Sequence, residues 1–376
     1  MKDGFIKAAS ASPVIKVADT EYNAQRVIET IKAADEMGVK MLVFPELVLT
    51  GCTCYDLTGH NVVLRGAKKA LLEVITASEG VDMLVFVGLP IAVGSRLYSC
   101  AAAIYDGELL GLVPRENVRG TQFAEPADSY VEVEIDAEHV AVLSTDYVFT
   151  CAALPDLKVA AELGADIDVL VPPSVRHAQA GATVIAQLAS FPETVTSADE
   201  AELTLRSQSR RLHCGMIMAA PGKGESTTDN VFSGLCMIAE NGEILAASEC
   251  ENSMAVTELD VEYIVNTRRE SDDFDLDSDE YYEAVWGGEP VETELTRSYR
   301  KYPHLPANEA DLPTYCERML DIQVSGLVKR MQYAGLDHCV VGISGGVDST
   351  LAVMVSAMAV KKLGLPSTNV VACTLP

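Results

Sequence analysis

The strongest chemical signal in the sequence is a run of small and hydroxylated residues, SGGVDS at 344–349. Small residues between a buried strand and a helix N-terminus let backbone N–H groups approach a phosphate, and the helix dipole adds positive potential there. The hydroxyls of Ser344 and Ser349 can donate to phosphate oxygens, and Asp348 can help to hold Mg²⁺. The alternative is an ordinary glycine-rich turn, but the full pattern is much rarer than a lone glycine motif. We therefore predict a phosphate-binding loop.

The elements that would position this loop form a βαβ pattern. The apolar runs 338–343 and 369–375 predict two strands, and the stretch 350–364 between them predicts a helix. Continuous apolar runs of this kind are typical of strands that are buried on both faces. A further helix is predicted over 315–333. This part of the chain has only about 65 residues, fewer than a typical domain, so we expect it to be an incomplete domain.

The longer N-terminal part alternates between strand and helix patterns. Lys40 to Leu47 and Val81 to Leu89 predict buried strands, and Thr20 to Met37 predicts an amphipathic helix. The turn dipeptides Asp106-Gly107 and Asn241-Gly242 each separate two apolar runs, which predicts two β-hairpins. Hairpins mixed with flanking helices favour stacked sheets covered by helices over one doubly wound sheet.

Composition excludes several classes of function. The 376 residues carry 28 Lys and Arg against 55 Asp and Glu, a formal net charge of −27. Such a charge repels phosphate backbones and anionic lipid, so we expect neither nucleic acid nor membrane surfaces as partners. Ten cysteines without a disulfide framework favour reduced thiols and a cytoplasmic location.

The acidic residues concentrate in one window. Residues 270–294 contain eleven Asp and Glu and no Lys or Arg, which predicts a solvated linker or arm. A calcium-binding loop is the alternative, but no frame of these aspartates supplies both Gly at the sixth position and Glu at the twelfth. We therefore place a domain boundary here, with a linker over 266–309.

Together these motifs resemble a known family. SGGVDS is similar to the pyrophosphate-binding loop of ATP pyrophosphatases, while FPEL (44–47), LLGLVP before Arg115, and KVAAE (158–162) leading to VPPS resemble nitrilase-like carbon–nitrogen hydrolases. This order of domains is that of the glutamine-dependent NAD+ synthetases. The resemblance implies an α/β fold: a four-layer α-β-β-α sandwich over 1–265, the acidic linker, and over 310–376 the first βαβ unit of an adenine nucleotide α-hydrolase-like domain.

The resemblance also implies an activity. Members of that family hydrolyse glutamine in the first domain and pass ammonia to the second, where deamido-NAD is adenylated by ATP and then amidated. It implies ATP with Mg²⁺, deamido-NAD and ammonia as small-molecule partners, no metal in the first domain, and a homo-oligomer. The positions implied to bind ATP are Gly342, Ser344, Gly345, Gly346, Val347, Asp348 and Ser349, with Asp348 as a possible Mg²⁺ ligand.

The first domain departs from the family at its catalytic positions. Glu46 matches the catalytic glutamate, but Arg115 stands at the lysine position and Gly164 at that of the nucleophilic cysteine. Glycine offers no nucleophile, so we predict an NAD+ synthetase homologue without glutaminase activity, which depends on ammonia if it is active. Three substrate-binding positions are changed as well: a tyrosine to Thr121, a serine to Phe191 and an arginine to Ser197.

Two alternatives remain. The first is a non-catalytic pseudo-glutaminase that serves as a scaffold or in regulation. The second is a hydrolase of another substrate, with a different nucleophile. Cys52 and Cys54, just after the FPEL motif, could also bind a metal, although no second ligand pair has suitable spacing, and Cys151 is interpreted as a structural thiol.

Overall fold

The computed structural model describes residues 2–126, 130–225, 229–249, 253–271, 273–274, 281–288, 290–306 and 308–374. The chain forms two units, which divide between Arg297 and Ser298. The strands of the first unit are β1 (Phe5–Ser12), β2 (Met41–Val43), β3 (Leu84–Val93), β4 (Arg96–Tyr105), β5 (Glu108–Pro114), β6 (Val131–Glu134), β7 (Val140–Leu143), β8 (Tyr147–Cys151), β9 (Leu154–Leu163), β10 (Val184–Leu188), β11 (Gly215–Ala219), β12 (Leu235–Glu240), β13 (Glu243–Glu249), β14 (Ser253–Asp260) and β15 (Tyr282–Trp286). Its helices are α1 (Thr20–Glu36), α2 (Asn61–Ala77), α3 (Pro173–Gln179), α4 (Ser197–Arg211) and α5 (Val261–Arg268).

The first unit has four layers. Its described strands form one sheet in the order β14-β1-β2-β3-β4-β5-β7-β6 and a second in the order β13-β12-β11-β10-β9-β8-β15. Side chains from both sheets make a shared core, in which the rings of Phe86 and Phe149 meet edge to face at 5.4 Å. Helices α1 and α2 cover the outer face of the first sheet, and α3 and α4 that of the second. The predicted α-β-β-α sandwich is confirmed.

Local sequence signals account for several of these elements. The carboxylate of Asp19 accepts a hydrogen bond from the backbone N–H of Tyr22 and so caps α1. Both hairpin turns have positive φ at their two central residues, 47° and 78° at Asp106-Gly107 and 47° and 90° at Asn241-Gly242. This is the turn conformation that matches the twist of the strands it joins. Both predicted hairpins are therefore present, as β4–β5 and β12–β13.

The strand expected over Lys40 to Leu47 is shorter than its apolar pattern indicates. The strand β2 ends at Val43, and the chain turns out of the sheet over the FPEL motif. Pro45 has no N–H to donate to a sheet, and Leu47 adopts a φ of +57°. The N–H of Glu46 instead donates to Ala189 O, just beyond the end of β10 in the second sheet.

Part of the stretch expected as a linker lies within the first unit. Strand β15 pairs in parallel with β8 at the edge of the second sheet. Further on, the Arg297 guanidinium donates two hydrogen bonds to the Glu240 carboxylate, at 3.1 and 2.9 Å. Most of the aspartates of the acidic window, Asp272 and residues 275–280, lie outside the described residues.

The second unit contains the predicted βαβ pattern. It comprises α6 (Leu312–Ala334), β16 (Cys339–Ile343), α7 (Val347–Lys362) and β17 (Val370–Thr374). The two strands pair in parallel, and Val324 and Met331 of α6 pack with residues of α7 in a small core. In neither unit do the described residues include a helix long and apolar enough to cross a membrane.

Candidate functional site

Three residues far apart in the sequence meet at one end of the sandwich. Glu46 follows β2, Arg115 follows β5 in the same sheet, and Gly164 follows β9 in the other sheet. The Arg115 Nη1 atom lies 3.3 Å from Glu46 Oε2 and 3.4 Å from Oε1. A Cβ atom on Gly164 would lie 2.5 Å from Glu46 Oε2 and 2.7 Å from Arg115 Nη1. The three positions singled out from the sequence therefore form one cluster.

Glu46 is fixed both by a hydrogen bond to its side chain and by the packing of its backbone. Its side chain is only 1% exposed, and Ser99 Oγ on β4 donates to Oε1 at 2.6 Å. The turn that carries Glu46 packs directly on β3 at Gly88, where any Cβ would collide with the backbone of Pro45 and Leu47. Residue 88 must therefore be small for Glu46 to reach its position.

Arg115 is fixed by the loop that follows it. Its backbone N–H donates to Ser99 O at 2.8 Å, and its Nε donates to Asn117 O at 2.8 Å. The Asp166 carboxylate accepts hydrogen bonds from the N–H groups of Glu116 and Asn117, at 3.1 and 2.6 Å, and so ties this loop to the chain beyond Gly164. Burial raises the pKa of Asp166 to about 6, although these hydrogen bonds favour its ionised form.

Gly164 adopts a left-handed backbone conformation with a φ of +55°. Its carbonyl oxygen accepts a hydrogen bond of 2.9 Å from Nε2 of Gln187 on β10. Because the space that its side chain would enter holds the Glu46 carboxylate and the Arg115 guanidinium, these two groups pair with each other there. The cluster can hold a charge pair, but residue 164 supplies no atom that could attack a carbonyl carbon.

A cavity of about 410 Å³ opens beside the ion pair. Its lining combines hydroxyl, amide and aromatic side chains: Thr53, Tyr55, Thr58, Thr121, Gln122, Phe123, Ser190, Asn230 and Phe232, together with Glu46 and Arg115. Thr121, one of the positions identified from the sequence, is thus part of the cavity. The cavity could admit a small polar molecule with an apolar portion.

The other two substrate positions implied by the resemblance lie outside this cavity. Neither Phe191 nor Ser197 lines the cavity, whose wall is formed in this region by Ser190 and Pro192. Phe191 packs against the core outside the second sheet, and Ser197 is the first residue of α4. A shift of one residue in the loop after β10 separates Phe191 from Ser190, and no periodic pattern in a loop reveals such a shift.

The thiols near the cluster are not activated. Cys52 is the one cysteine among the described residues that line the cavity. Burial, reinforced by the carboxylates of Glu225 and Glu46, raises the pKa of the Cys52 thiol well above its usual range. Burial likewise raises the pKa of Cys151, which lies in β8. A thiol with a raised pKa is a poor nucleophile at neutral pH, because the thiolate is the reactive form. The described ranges also contain no group of three or more His, Cys, Asp or Glu placed to hold a metal ion.

In the second unit, the run 344–349 joins β16 to the first turn of α7. Gly345 adopts a φ of +83°, and a Cβ there would meet no atom within 4 Å. Ser349 Oγ donates to Gly346 O at 3.0 Å, which steadies the start of the helix. Residues 344–348 are exposed and Ser349 is half-buried, and Asp348 lies in the first helical turn. The backbone here is open to an approaching phosphate, so these residues fit a phosphate with its Mg²⁺.

Comparison with known proteins identifies relatives of both units. The carbon–nitrogen hydrolase family matches residues 7–269. A glutamine-dependent NAD+ synthetase of Mycobacterium tuberculosis is 32% identical over 99% of this chain and 58% of its own length. Its Thermotoga maritima counterpart is 24% identical, over 96% of this chain and 59% of its own length. The chain thus spans about three fifths of the length of the curated relatives it matches.

Solved structures support the same fold. A glutamine-dependent NAD+ synthetase from Cytophaga hutchinsonii superposes with a TM-score of 0.60 at 16% identity, covering 95% of this chain and 52% of its own. That from Acinetobacter baumannii, in complex with ADP, gives a TM-score of 0.57 at 18% identity over 99% of this chain and 60% of its own. The four-layer fold, the cluster around Glu46 and the family match over residues 7–269 all indicate the same family. The chain belongs to the carbon–nitrogen hydrolase family.

Proposed function

We propose that the chain is an NAD+ synthetase homologue whose glutaminase unit is inactive and which depends on free ammonia if it is active. The observation that supports the first half of this proposal is Gly164, which faces the Glu46–Arg115 pair and has no side chain. The similarity to NAD+ synthetases over 99% of the chain supports the second half.

The missing side chain matters because glutamine hydrolysis needs three groups. A thiolate forms the glutamyl thioester, a carboxylate moves its proton, and a cation or N–H stabilises the oxyanion. Glu46 could move a proton and Arg115 carries a positive charge, but there is no thiol between them for Glu46 to deprotonate. Loss of the nucleophile removes the covalent route and costs several orders of magnitude in rate.

The second unit would bind Mg²⁺–ATP at the run 344–349. The N–H groups at the start of α7 and the hydroxyls of Ser344 and Ser349 would donate to phosphate oxygens, and Asp348 would help to hold the metal. The carboxylate of deamido-NAD would attack the α-phosphorus of the bound nucleotide and release pyrophosphate, and ammonia would then displace AMP from the adenylate. Reduced cysteines and the acidic surface fit a cytoplasmic enzyme of small molecules, and we expect a homo-oligomer.

Glutamate release tests the inactive glutaminase. The purified chain should release no glutamate from glutamine above the rate in buffer, with or without Mg²⁺–ATP and deamido-NAD. The matched control is Glu46→Ala, which should give the same background. Steady glutamate release by the native chain that disappears in Glu46→Ala would overturn this part of the proposal.

NAD+ formation from ammonium chloride tests the synthetase half. If the chain is active, Mg²⁺–ATP, deamido-NAD and ammonium should yield NAD+, AMP and pyrophosphate, and glutamine should not replace ammonium. If neither nitrogen source yields NAD+, a non-catalytic scaffold is the better interpretation. The other alternative, a hydrolase with a different nucleophile, requires a hyper-reactive thiol at neutral pH. The raised pKa of Cys52 argues against it, and thiol labelling with a mass readout would decide.

A further inference from the structure

Two polar side chains lie side by side between the second sheet and its covering helices, on the strands that lead to and pair next to Gly164. Glu162 of β9 and Gln187 of β10 are directly paired in the second sheet. Ala160 and Ile185, two residues earlier on the same strands, belong to the core between this sheet and helices α3 and α4. Since residues i and i+2 of a strand share a face, Glu162 and Gln187 both point into that core. They are 1% and 0% exposed.

Each of these two side chains has one oxygen atom without a hydrogen-bond partner. Glu162 Oε2 accepts a bond of 3.1 Å from the backbone N–H of Ser174 on α3, and Gln187 Nε2 donates to Gly164 O. Glu162 Oε1 and Gln187 Oε1 are both buried and have no hydrogen-bond partner. An ionised carboxylate and an amide oxygen are acceptors only, so neither can satisfy the other. Leaving two buried acceptors without a donor is unfavourable.

A proton on Glu162 would resolve this conflict, because a carboxylic acid can donate one hydrogen bond. The N–H and hydroxyl of Ser174 favour the ionised form of Glu162, whereas burial and the nearby acidic groups favour the protonated form and outweigh them. Asp166 and Glu116 are acidic, and His177 on α3 is kept neutral by burial, which lowers its pKa to about 3. Cys214 precedes β11, and burial raises the pKa of its thiol, so it too is neutral. Helix α4 faces this core with Ala201 and Leu205, which do not titrate. Burial raises the pKa of Glu162 itself to about 8.

We propose that Glu162 is a protonated carboxylic acid at neutral pH, which donates to Gln187 Oε1 and thereby orients the amide that holds the Gly164 carbonyl. Glu162 is then a positioning residue, which acts on the Glu46–Arg115 cluster through Gln187. Ionisation of Glu162 at alkaline pH removes the donor and places a charge next to Gln187. The geometry of Gly164 therefore depends on pH through a group that does not reach the cavity, and this inference does not depend on the proposed function.

Infrared difference spectroscopy tests the proton directly. At pH 7 the native chain minus Glu162→Gln should show the carbonyl stretch of a protonated carboxylic acid, which shifts in D₂O. The band should disappear as the pH rises through about 8. A difference spectrum with only carboxylate bands at pH 7 would overturn the proposal and would indicate that a water molecule supplies the missing donor.

The pH profile of stability gives a second readout. The native chain should lose stability relative to Glu162→Gln as the pH rises from about 4.5, where the unfolded carboxyl ionises, to about 8. The Gln amide can donate to Gln187 and accept from Ser174, so this variant should fold normally and show no such trend. Glu162→Leu, which can do neither, should be destabilised at every pH. A constant difference between the native chain and Glu162→Gln would contradict a protonated Glu162.

Discussion

The guanidinium of Arg115 fills the space into which a side chain at Gly164 would project. A Cβ atom on Gly164 would lie 2.7 Å from Arg115 Cζ, a separation that real Cβ atoms essentially never show. Arg115 cannot simply withdraw, because its Nε is bonded to Asn117 O and its Nη1 to Glu46. The glycine at 164 and the position of the Arg115 guanidinium therefore depend on each other.

Substitution of Gly164 by alanine should destabilise the first unit. The added methyl group overlaps Glu46 and Arg115, and the φ of +55° disfavours any residue with a Cβ. We expect a loss of about 1–3 kcal/mol in the free energy of unfolding, measured by urea denaturation. In an Arg115→Ala background, part of the space is vacated, so the same substitution should cost less. An equal cost in both backgrounds would show that Arg115 is not the obstacle.

Gly164→Cys should not restore glutaminase activity. The new thiol would collide with the Glu46 carboxylate and the Arg115 guanidinium, and the lysine and substrate-binding positions are changed as well. Glutamate release should remain at the buffer rate, both in this variant and in Gly164→Cys combined with Glu46→Gln. Activity in the single variant that the second substitution removes would show that the cluster is still organised for catalysis.

The Glu46–Arg115 pair should contribute to stability as a unit. Glu46 is 1% and Arg115 12% exposed at the side chain, so removing one partner leaves a buried charge without its counter-ion. We expect Glu46→Gln or Arg115→Met alone to cost about 3–5 kcal/mol, and the double variant to cost less than the sum. Urea denaturation of all four proteins gives this double-mutant cycle. Additive losses would mean that the two side chains do not interact.

His177 should make the first unit sensitive to acid. Burial lowers its pKa from 6.5 to about 3, so the unfolded chain binds a proton in a range where the folded chain does not. The stability that depends on neutral His177 is present above pH 6.5 and is lost as the pH falls towards 3. Thermal unfolding of the native chain and His177→Gln, compared at each pH, measures this. Tyr281→Phe, which loses only the hydroxyl bonded to Nδ1, should keep the acid sensitivity.

Mg²⁺–ATP binding should be weak and should depend on the loop 344–349. The loop offers backbone N–H groups and two hydroxyls, but it faces solvent in a chain with a net charge of −27. We expect a low affinity by calorimetry that falls further in Asp348→Ala and Ser349→Ala, whereas Lys361→Ala at the far end of α7 serves as the control. Tight binding that persists in both loop variants would place the nucleotide elsewhere.

Features that depend on neighbouring residues could be predicted from the amino-acid sequence alone. Asp106-Gly107 and Asn241-Gly242 specify their hairpins because the turn needs positive φ at two adjacent positions. Asp19 caps α1 because its carboxylate reaches an N–H three residues later. The apolar runs predicted buried strands for the same reason, and the two hairpins together with the flanking helix patterns favoured stacked sheets.

Contacts between residues that are distant in the sequence became visible in the folded chain. Glu46 and Arg115 are 69 positions apart, and their contact depends on β2 ending at Val43 so that the chain turns towards the second sheet. Two further features also depend on tertiary packing. Ser190 lines the cavity whereas Phe191 does not, and Glu162 Oε1 is buried without a hydrogen-bond donor. Such contacts arise from the packing of elements against each other, and the energies that select them involve residues from several strands at once. A motif can name the residue types of a site, but whether a side chain finds space, a partner or a proton there is decided by what packs around it.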